Sequence, residues 1–129
     1  MYKFVRLFSS TYENSKKNVN NLISILGKII DNDDLLYDVR LVTSELIANG
    51  IEHGNCMDSN CTIYLEIELD EHYIYIRVED EGDCFEGGEF GLYSPDDCEC
   101  RGRGLFIVGN IADQVNIVGK MVEAKIAIG

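Results

Sequence analysis

Three polar residues that can bind ions or move protons recur at four-residue intervals near the middle of the chain. Glu45, Asn49 and His53, followed by Gly54, form the pattern E-x-x-x-N-x-x-x-H-G. In an α-helix such residues share one ridge, because each residue turns the chain by about 100°. A carboxylate and an amide one turn apart can hold a hydrated cation or orient an attacking hydroxyl. The alternative is a solvated helix edge that has this spacing by chance.

A second candidate is an aspartate at the end of a predicted strand. Asp80 has the strand parity of Ile74, Ile76 and Val78, so its carboxylate should point to the buried side of the sheet. Burying an unpaired carboxylate is costly, which predicts a dedicated partner such as the exocyclic amine of a nucleobase. Gly82 lets the backbone approach a flat ring closely. The alternative is a frayed strand end at which Asp80 caps a turn.

Two glycines and two arginines precede a third predicted helix. Gly102 and Gly104 stand just before an apolar stretch that begins at Leu105, and Arg101 and Arg103 add positive charge. Free backbone N–H groups at a helix start attract phosphate, and the helix dipole adds to this attraction. Glycine before a helix is common, so this pattern gains weight only beside the other two.

Length and composition limit the class of protein. The 129 residues, of which 46% are hydrophobic, predict one domain spanning residues 1–129. The chain has no run of about 18 apolar residues, which predicts no membrane span. It lacks the apolar core of a secretory signal, and the odd count of five cysteines favours reduced thiols in the cytoplasm. The net charge of −12 argues against direct nucleic-acid binding and suits attraction to a basic protein surface.

The elements that must position these residues follow from hydrophobic periodicity and turn signals. A short opening strand precedes two helices, the second of which should run as far as Gly54-Asn55. A hairpin, a loop, a helix and two closing strands follow, at residues 61–79, 83–100, 104–112, 115–118 and 121–128. This order predicts an α+β protein, a two-layer α/β sandwich with a mostly antiparallel sheet and helices on one face.

Together and in this order, the three motifs resemble those of the ATPase superfamily shared by gyrase and the histidine kinases. The size and the opening strand resemble more specifically the bacterial anti-sigma-factor serine/threonine protein kinases. The resemblance implies the Bergerat-type ATP-binding fold, with ATP and magnesium as cofactors. It implies that Asn49 binds magnesium, that Glu45 is the catalytic acid that activates the attacking hydroxyl, and that Asp80 and Gly82 bind adenine.

The remaining site residues and two departures also come from the resemblance. His53 and Gly54 match the end of the asparagine helix, and His53 is assigned to the cofactor-binding set. Gly102 and Gly104 match the glycines that close the lid over the phosphates, and Arg101, Arg103 and Leu105 are assigned to the cofactor-binding set with them. The family often has Thr before the asparagine, where this chain has Ala48. It often has a Gly-Thr pair before the last strand, where this chain has Gly119-Lys120.

The implied function is that of an ATP-dependent protein serine kinase. It would phosphorylate a small antagonist protein of the anti-anti-sigma type and sequester a sigma factor, without direct nucleic-acid or membrane binding. The resemblance leaves a homodimer open. One alternative is an ATP-gated protein-binding module without kinase activity, and another is the catalytic domain of a histidine kinase.

Overall fold

The chain folds in the order that its sequence predicts, and a computed structural model describes residues 2–82 and 107–128. Residues 107–111 are helical. The predicted loop at 83–100 and the predicted phosphate-binding residues 101–105 lie outside the described residues. The bounds of the elements are β1 Tyr2–Ser9, α1 Tyr12–Leu26, α2 Asp33–Asn49, a π-helix Gly50–Gly54, β2 Thr62–Leu69, β3 Tyr73–Glu79, β4 Gln114–Val118 and β5 Met121–Ala127.

One antiparallel sheet of five strands, in the order β1-β2-β3-β5-β4, forms the first layer. Side chains alternate across it, so one face is apolar and buried while the other carries polar and charged groups. The helices α1 and α2 supply the second layer, and their apolar stripes join the same core as the buried face. The predicted two-layer α/β sandwich with helices on one face is therefore confirmed.

Side-chain caps set where the two helices begin. The hydroxyl of Thr11 accepts a hydrogen bond from the N–H of Asn14, at 3.1 Å. The side-chain oxygen of Asn32 accepts from the N–H of Leu35, also at 3.1 Å. Each cap satisfies a backbone donor that has no partner within the helix. The second cap fixes the phase of α2, which turns its stripe of Leu35, Val39, Val42, Leu46 and Ile47 into the core.

The end of α2 differs from the prediction. The α-helix stops at Asn49, and the residues Gly50–Gly54 form a π-helix. The N–H of Asn55 donates to the carbonyl of Gly50, five residues earlier, at 2.8 Å. Glu45 and Asn49 therefore share an α-helical ridge as predicted. His53 lies beyond the α-helix, in the wider turn of the π-helix, and its place on the same ridge stays a prediction.

No helix within the described ranges is long and apolar enough to cross a membrane.

Candidate functional site

The carboxylate of Asp80 lies against the backbone of the π-helix. Asp80 follows the last residue of β3 on the buried side, which is the side that its strand parity predicts. A Cβ atom added at Gly54 would lie 2.1 Å from Asp80 Cγ, and one at Gly50 would lie 3.6 Å from Asp80 Cβ. Any side chain at position 54 would overlap the carboxylate. The glycine that ends the helix motif is therefore needed so that Asp80 can reach the helix.

Asn49 and Glu45 lie on the helix that leads into this contact. Asn49 is the last residue of α2 and directly precedes Gly50. Its side-chain nitrogen is buried and has no hydrogen-bond partner among the described residues. Most buried polar groups in native proteins are paired, so this amide is suited to bind a group from outside the chain. Glu45, one turn earlier, is half-buried on the same ridge.

A buried asparagine that the sequence analysis interpreted only as a helix stop holds the strand end beside Asp80. Asn55 is 2% exposed. Its side-chain nitrogen donates to the carbonyl of Thr62 at 3.0 Å and to the hydroxyl of Ser10 at 3.1 Å. Its side-chain oxygen accepts from the N–H of Glu81 at 2.9 Å. The signal in the sequence is the side-chain amide, which can both donate and accept, although a helix stop also accounts for an asparagine at this position.

Gly82 contacts a lysine that the sequence analysis noted only as a departure from the family pattern. Gly82 has a φ of +69°, and a Cβ atom there would lie 2.9 Å from Cδ and Cε of Lys120. The N–H of Asp80 donates to the carbonyl of Lys120 at 3.3 Å. The stem of Lys120 thus packs on the glycine whose open space was predicted to admit a flat ring. In the sequence, the only sign of this contact is that Lys120 stands where the family often has Thr.

The π-helix also carries a small polar cluster at its junction with α1. The hydroxyl of Tyr12 donates to the carboxylate of Glu52. Partial burial and this hydrogen bond raise the pKa of Tyr12 to about 12, so the hydroxyl stays protonated and keeps its role as donor. The structure places the ring of His53 beside Glu52, with Nε2 at 3.8 Å from Oε1.

The predictions for the phosphate-binding residues and for the cysteines remain to be compared with the structure. The predicted cofactor-binding residues Arg101, Gly102, Arg103, Gly104 and Leu105 lie outside the part of the chain that the structure describes. The expectation of reduced thiols is wrong for Cys56, which is disulfide-bonded and lies in an exposed turn directly after the π-helix. Cys61, at the end of the same turn, keeps a reduced thiol, which donates to the carboxylate of Asp58 at 3.8 Å.

The family model described as the histidine kinase-like ATPase domain matches residues 9–126. The chain therefore belongs to the histidine kinase-like ATPase family, which makes it an ATP-binding domain. Its similar relatives include proteins named anti-sigma F factor. Those of Bacillus velezensis and Bacillus subtilis are each 28% identical over 116 residues, covering 85% of this chain and 78% of theirs. That of Oceanobacillus iheyensis is 29% identical over 115 residues, covering 86% and 79%.

The residues that the structure describes fit ATP with magnesium. Magnesium in kinase-type sites is held by one or two protein oxygens together with phosphates and water, rather than by a cage of side chains. Within residues 2–82 and 107–128, no group of three or more His, Cys, Asp or Glu side chains could hold a metal ion. A half-buried amide such as Asn49 matches the sparser arrangement. Asp80, held on the buried side by glycines, matches an acceptor for a base.

Proposed function

We propose that this chain is an ATP-dependent protein serine kinase of the anti-sigma-factor type. In this proposal it phosphorylates a small antagonist protein and sequesters a sigma factor. One observation carries the proposal: the Asp80 carboxylate packs against Gly54 and Gly50, at the end of the helix that bears Glu45 and Asn49. The groups proposed for base recognition, ion binding and proton removal thus lie along the C-terminal part of one helix and the strand end beside it.

Asp80 has the properties of a base-recognition residue. A carboxylate accepts hydrogen bonds and donates none, so it pairs with the amino group of adenine and opposes the carbonyl of guanine. Its N–H is bound to Lys120, and the next N–H is bound to Asn55, so the backbone that carries it is fixed on both sides. A preorganised acceptor loses little freedom on binding, which favours affinity and selectivity.

Asn49 and Glu45 have the chemistry for the part of the site that would hold the phosphates. Asn49 would hold magnesium through its amide oxygen. When bound, ATP would supply the phosphoryl group, and magnesium would neutralise its charge. Glu45 would accept the proton of the serine hydroxyl as that oxygen becomes the nucleophile. Phosphoryl transfer depends mainly on positioning and charge neutralisation, so these few residues are a sufficient set.

The proposed partners follow from the relatives and from the charge of the chain. The relatives are named for opposing a sigma F factor, so we propose a sigma factor and a serine-bearing antagonist as partners. The net charge of −12 suits partners with basic surfaces and disfavours direct contact with nucleic acid.

A phosphate-transfer assay tests the proposal. Partners would be captured from the native cell on immobilised protein, with and without ATP, and the captured small protein would then be incubated with ATP labelled at the γ-phosphate. We expect label on a serine of the small protein and loss of transfer when magnesium is chelated. Partner capture that depends on ATP but gives no transfer would instead establish an ATP-gated binding module. Absence of ATP binding would contradict both functions.

A further inference from the structure

The side chain of Asn55 connects three segments of the chain directly behind the proposed site. Besides its bonds to Ser10, Thr62 and Glu81, its backbone N–H donates to Gly50 at 2.8 Å, and its carbonyl accepts from Asp58 at 2.9 Å. Every polar group of this buried residue is therefore bonded. A buried amide that is fully satisfied fixes the relative positions of the groups it contacts.

The amide of Asn55 bridges two strands where their backbone ladder has ended. The ladder between β2 and β3 ends at the pair Tyr64–Glu79. Two residues further along each strand, Glu81 donates its N–H to Asn55, and Asn55 donates to the carbonyl of Thr62. The carboxylate of Glu81 accepts from the N–H of Thr62 at 2.5 Å. These three residues form a closed ring of hydrogen bonds in which a side chain takes the place of direct strand pairing.

Two members of this ring are chain neighbours of the site: Glu81 directly follows Asp80, and Asn55 directly follows the glycine that Asp80 contacts. Gly54, which makes room for the carboxylate, is the direct neighbour of Asn55 in the chain. Glu81, which Asn55 anchors, is the direct neighbour of Asp80. The dipeptide Gly54-Asn55 therefore both provides space for the carboxylate and fixes the backbone that carries it.

We propose that Asn55 is a positioning residue for base recognition. It holds the carboxylate of Asp80 against the π-helix through the backbone of Glu81. The inference rests on the proposed function, because it takes the base to be bound by Asp80. Without Asn55, the backbone N–H of Glu81 loses its partner, and only the exposed carboxylate of Glu81 still links this segment to β2, while the bond from Asp80 to Lys120 remains. Asp80 then samples several positions, and its discrimination between an amino group and a carbonyl falls.

A comparison of Asn55→Ala with Ser10→Ala tests the role. Ser10 is also buried, and its substitution removes one of the bonds of Asn55 while leaving the bond to Glu81 intact. Binding of ATP and GTP with magnesium would be measured by calorimetry, and folding by thermal unfolding. We expect both variants to unfold at lower temperature. Only Asn55→Ala should reduce the ratio of ATP to GTP affinity, by about fivefold or more, whereas Ser10→Ala keeps the parental ratio.

A second pair of variants covers the case in which Asn55→Ala does not fold. Glu81→Pro removes the backbone N–H that donates to the side-chain oxygen of Asn55, but it leaves the bonds from Asn55 to Ser10 and Thr62. Glu81→Ala keeps that N–H. Both variants lose the exposed carboxylate and its bonds to Thr62, so the comparison isolates the N–H that bonds Asn55. The proline variant should lose the preference for ATP, and the alanine variant should keep it.

The outcomes separate the inference from the function on which it rests. A folded Asn55→Ala or Glu81→Pro variant with the parental ratio overturns the positioning role. Equal loss of the ratio in Asn55→Ala and Ser10→Ala also overturns it, since general destabilisation would then explain both. A parent protein that binds neither nucleotide overturns the proposed function itself, and the inference with it.

Discussion

Two groups of polar and charged residues lie on opposite faces of the same sheet, and they differ in the partners that their polar atoms bond. On the outer face, Arg77 of β3 donates to Glu66 and Glu68 of β2 and to Glu123 of β5, at 2.8 Å for Glu68 and 2.6 Å for Glu123. Glu66 and Glu123 stand directly opposite Arg77 in the strand register. The guanidinium thus joins three strands.

The outer cluster is satisfied within the chain itself. Burial alone would raise the pKa of Glu66, but hydrogen bonds from Tyr64 and Arg77 lower it below its ordinary value. Burial alone would lower the pKa of Arg77, yet its hydrogen bonds to Glu68, Glu123 and Glu66 raise it above its ordinary value. Each charge is stabilised by its neighbours, so this cluster contributes to folding.

The inner group is arranged differently. Gly54 leaves room for the carboxylate of Asp80, Asn55 accepts from the N–H of the next residue, Glu81, and the side-chain nitrogen of Asn49 is buried with no partner among the described residues. A buried polar atom that the fold does not satisfy, such as this nitrogen of Asn49, is typical of a binding site. The comparison suggests that charge density alone does not identify a site, and that the partners of each polar atom do.

The largest expected effect belongs to the proposed general base. Glu45→Gln keeps the shape of the side chain but cannot accept a proton, so phosphate transfer should fall by about 10² or more. Affinity for ATP should stay within a few-fold of the parent. Asp38→Asn on the same helix is the matched control and should transfer at the parental rate. Near-parental transfer by Glu45→Gln would leave Glu45 an ordinary residue of a helix edge.

The next effect comes from filling the space beside Asp80. Gly54→Ala places a methyl group on the carboxylate, which must move, so ATP affinity should fall by about tenfold or more and the protein should lose about 1–3 kcal/mol of stability. Gly109→Ala is the control, because a Cβ atom there meets nothing within 4 Å. Calorimetry and thermal unfolding measure both effects. Parental affinity in a folded Gly54→Ala would show that Asp80 does not touch the nucleotide.

These first two predictions differ in how far the sequence could foresee them. The spacing of Glu45 and Asn49 and the strand parity of Asp80 follow from local periodicity, which the structure keeps. The π-helix could not be foreseen, because its wider turn is stabilised by contacts with strand residues distant in the chain. The same holds for Asn55 and Lys120, whose partners Glu81 and Gly82 become neighbours only after the sheet forms.

A smaller effect concerns the ion. Asn49→Ala removes the amide proposed to hold magnesium, so the tightening of ATP binding by magnesium should disappear while the fold survives. Asn116→Ala, at an exposed position of β4, should keep the parental dependence on magnesium. Calorimetry at matched ionic strength, with and without magnesium, gives the comparison. Equal magnesium dependence in parent and Asn49→Ala would exclude Asn49 as the ligand.

The smallest effect on the site should come from the outer cluster. Arg77→Met leaves three carboxylates facing one another, which should cost about 1–3 kcal/mol of stability at neutral pH, while ATP affinity stays unchanged. Arg40→Met removes an exposed positive charge as the control and should change stability little. A loss of ATP affinity in a folded Arg77→Met would mean that the two faces are coupled.

The same variant has a defined pH dependence. The pKa of Glu66 in the folded protein is below its ordinary value of 4.5, so its stabilising contribution is present above that pH and is lost as the pH falls through the folded value. Arg77→Met lacks the part of this contribution that comes from Arg77, while the hydrogen bond from Tyr64 remains. The stability difference between parent and variant, measured by denaturant unfolding, should therefore be largest near neutral pH and shrink in acid. A difference that grows in acid would contradict the assignment.

The most direct test of the account is the choice between ATP and GTP. If Asp80 accepts a hydrogen bond from the base, the parent should bind ATP at least about tenfold more tightly than GTP, because guanine would place an acceptor against the carboxylate. Asp80→Asn should erode this preference, and Glu79→Gln, its neighbour on the outer face, should not. Equal affinity of the parent for the two nucleotides would contradict the central claim that Asp80 recognises an adenine base.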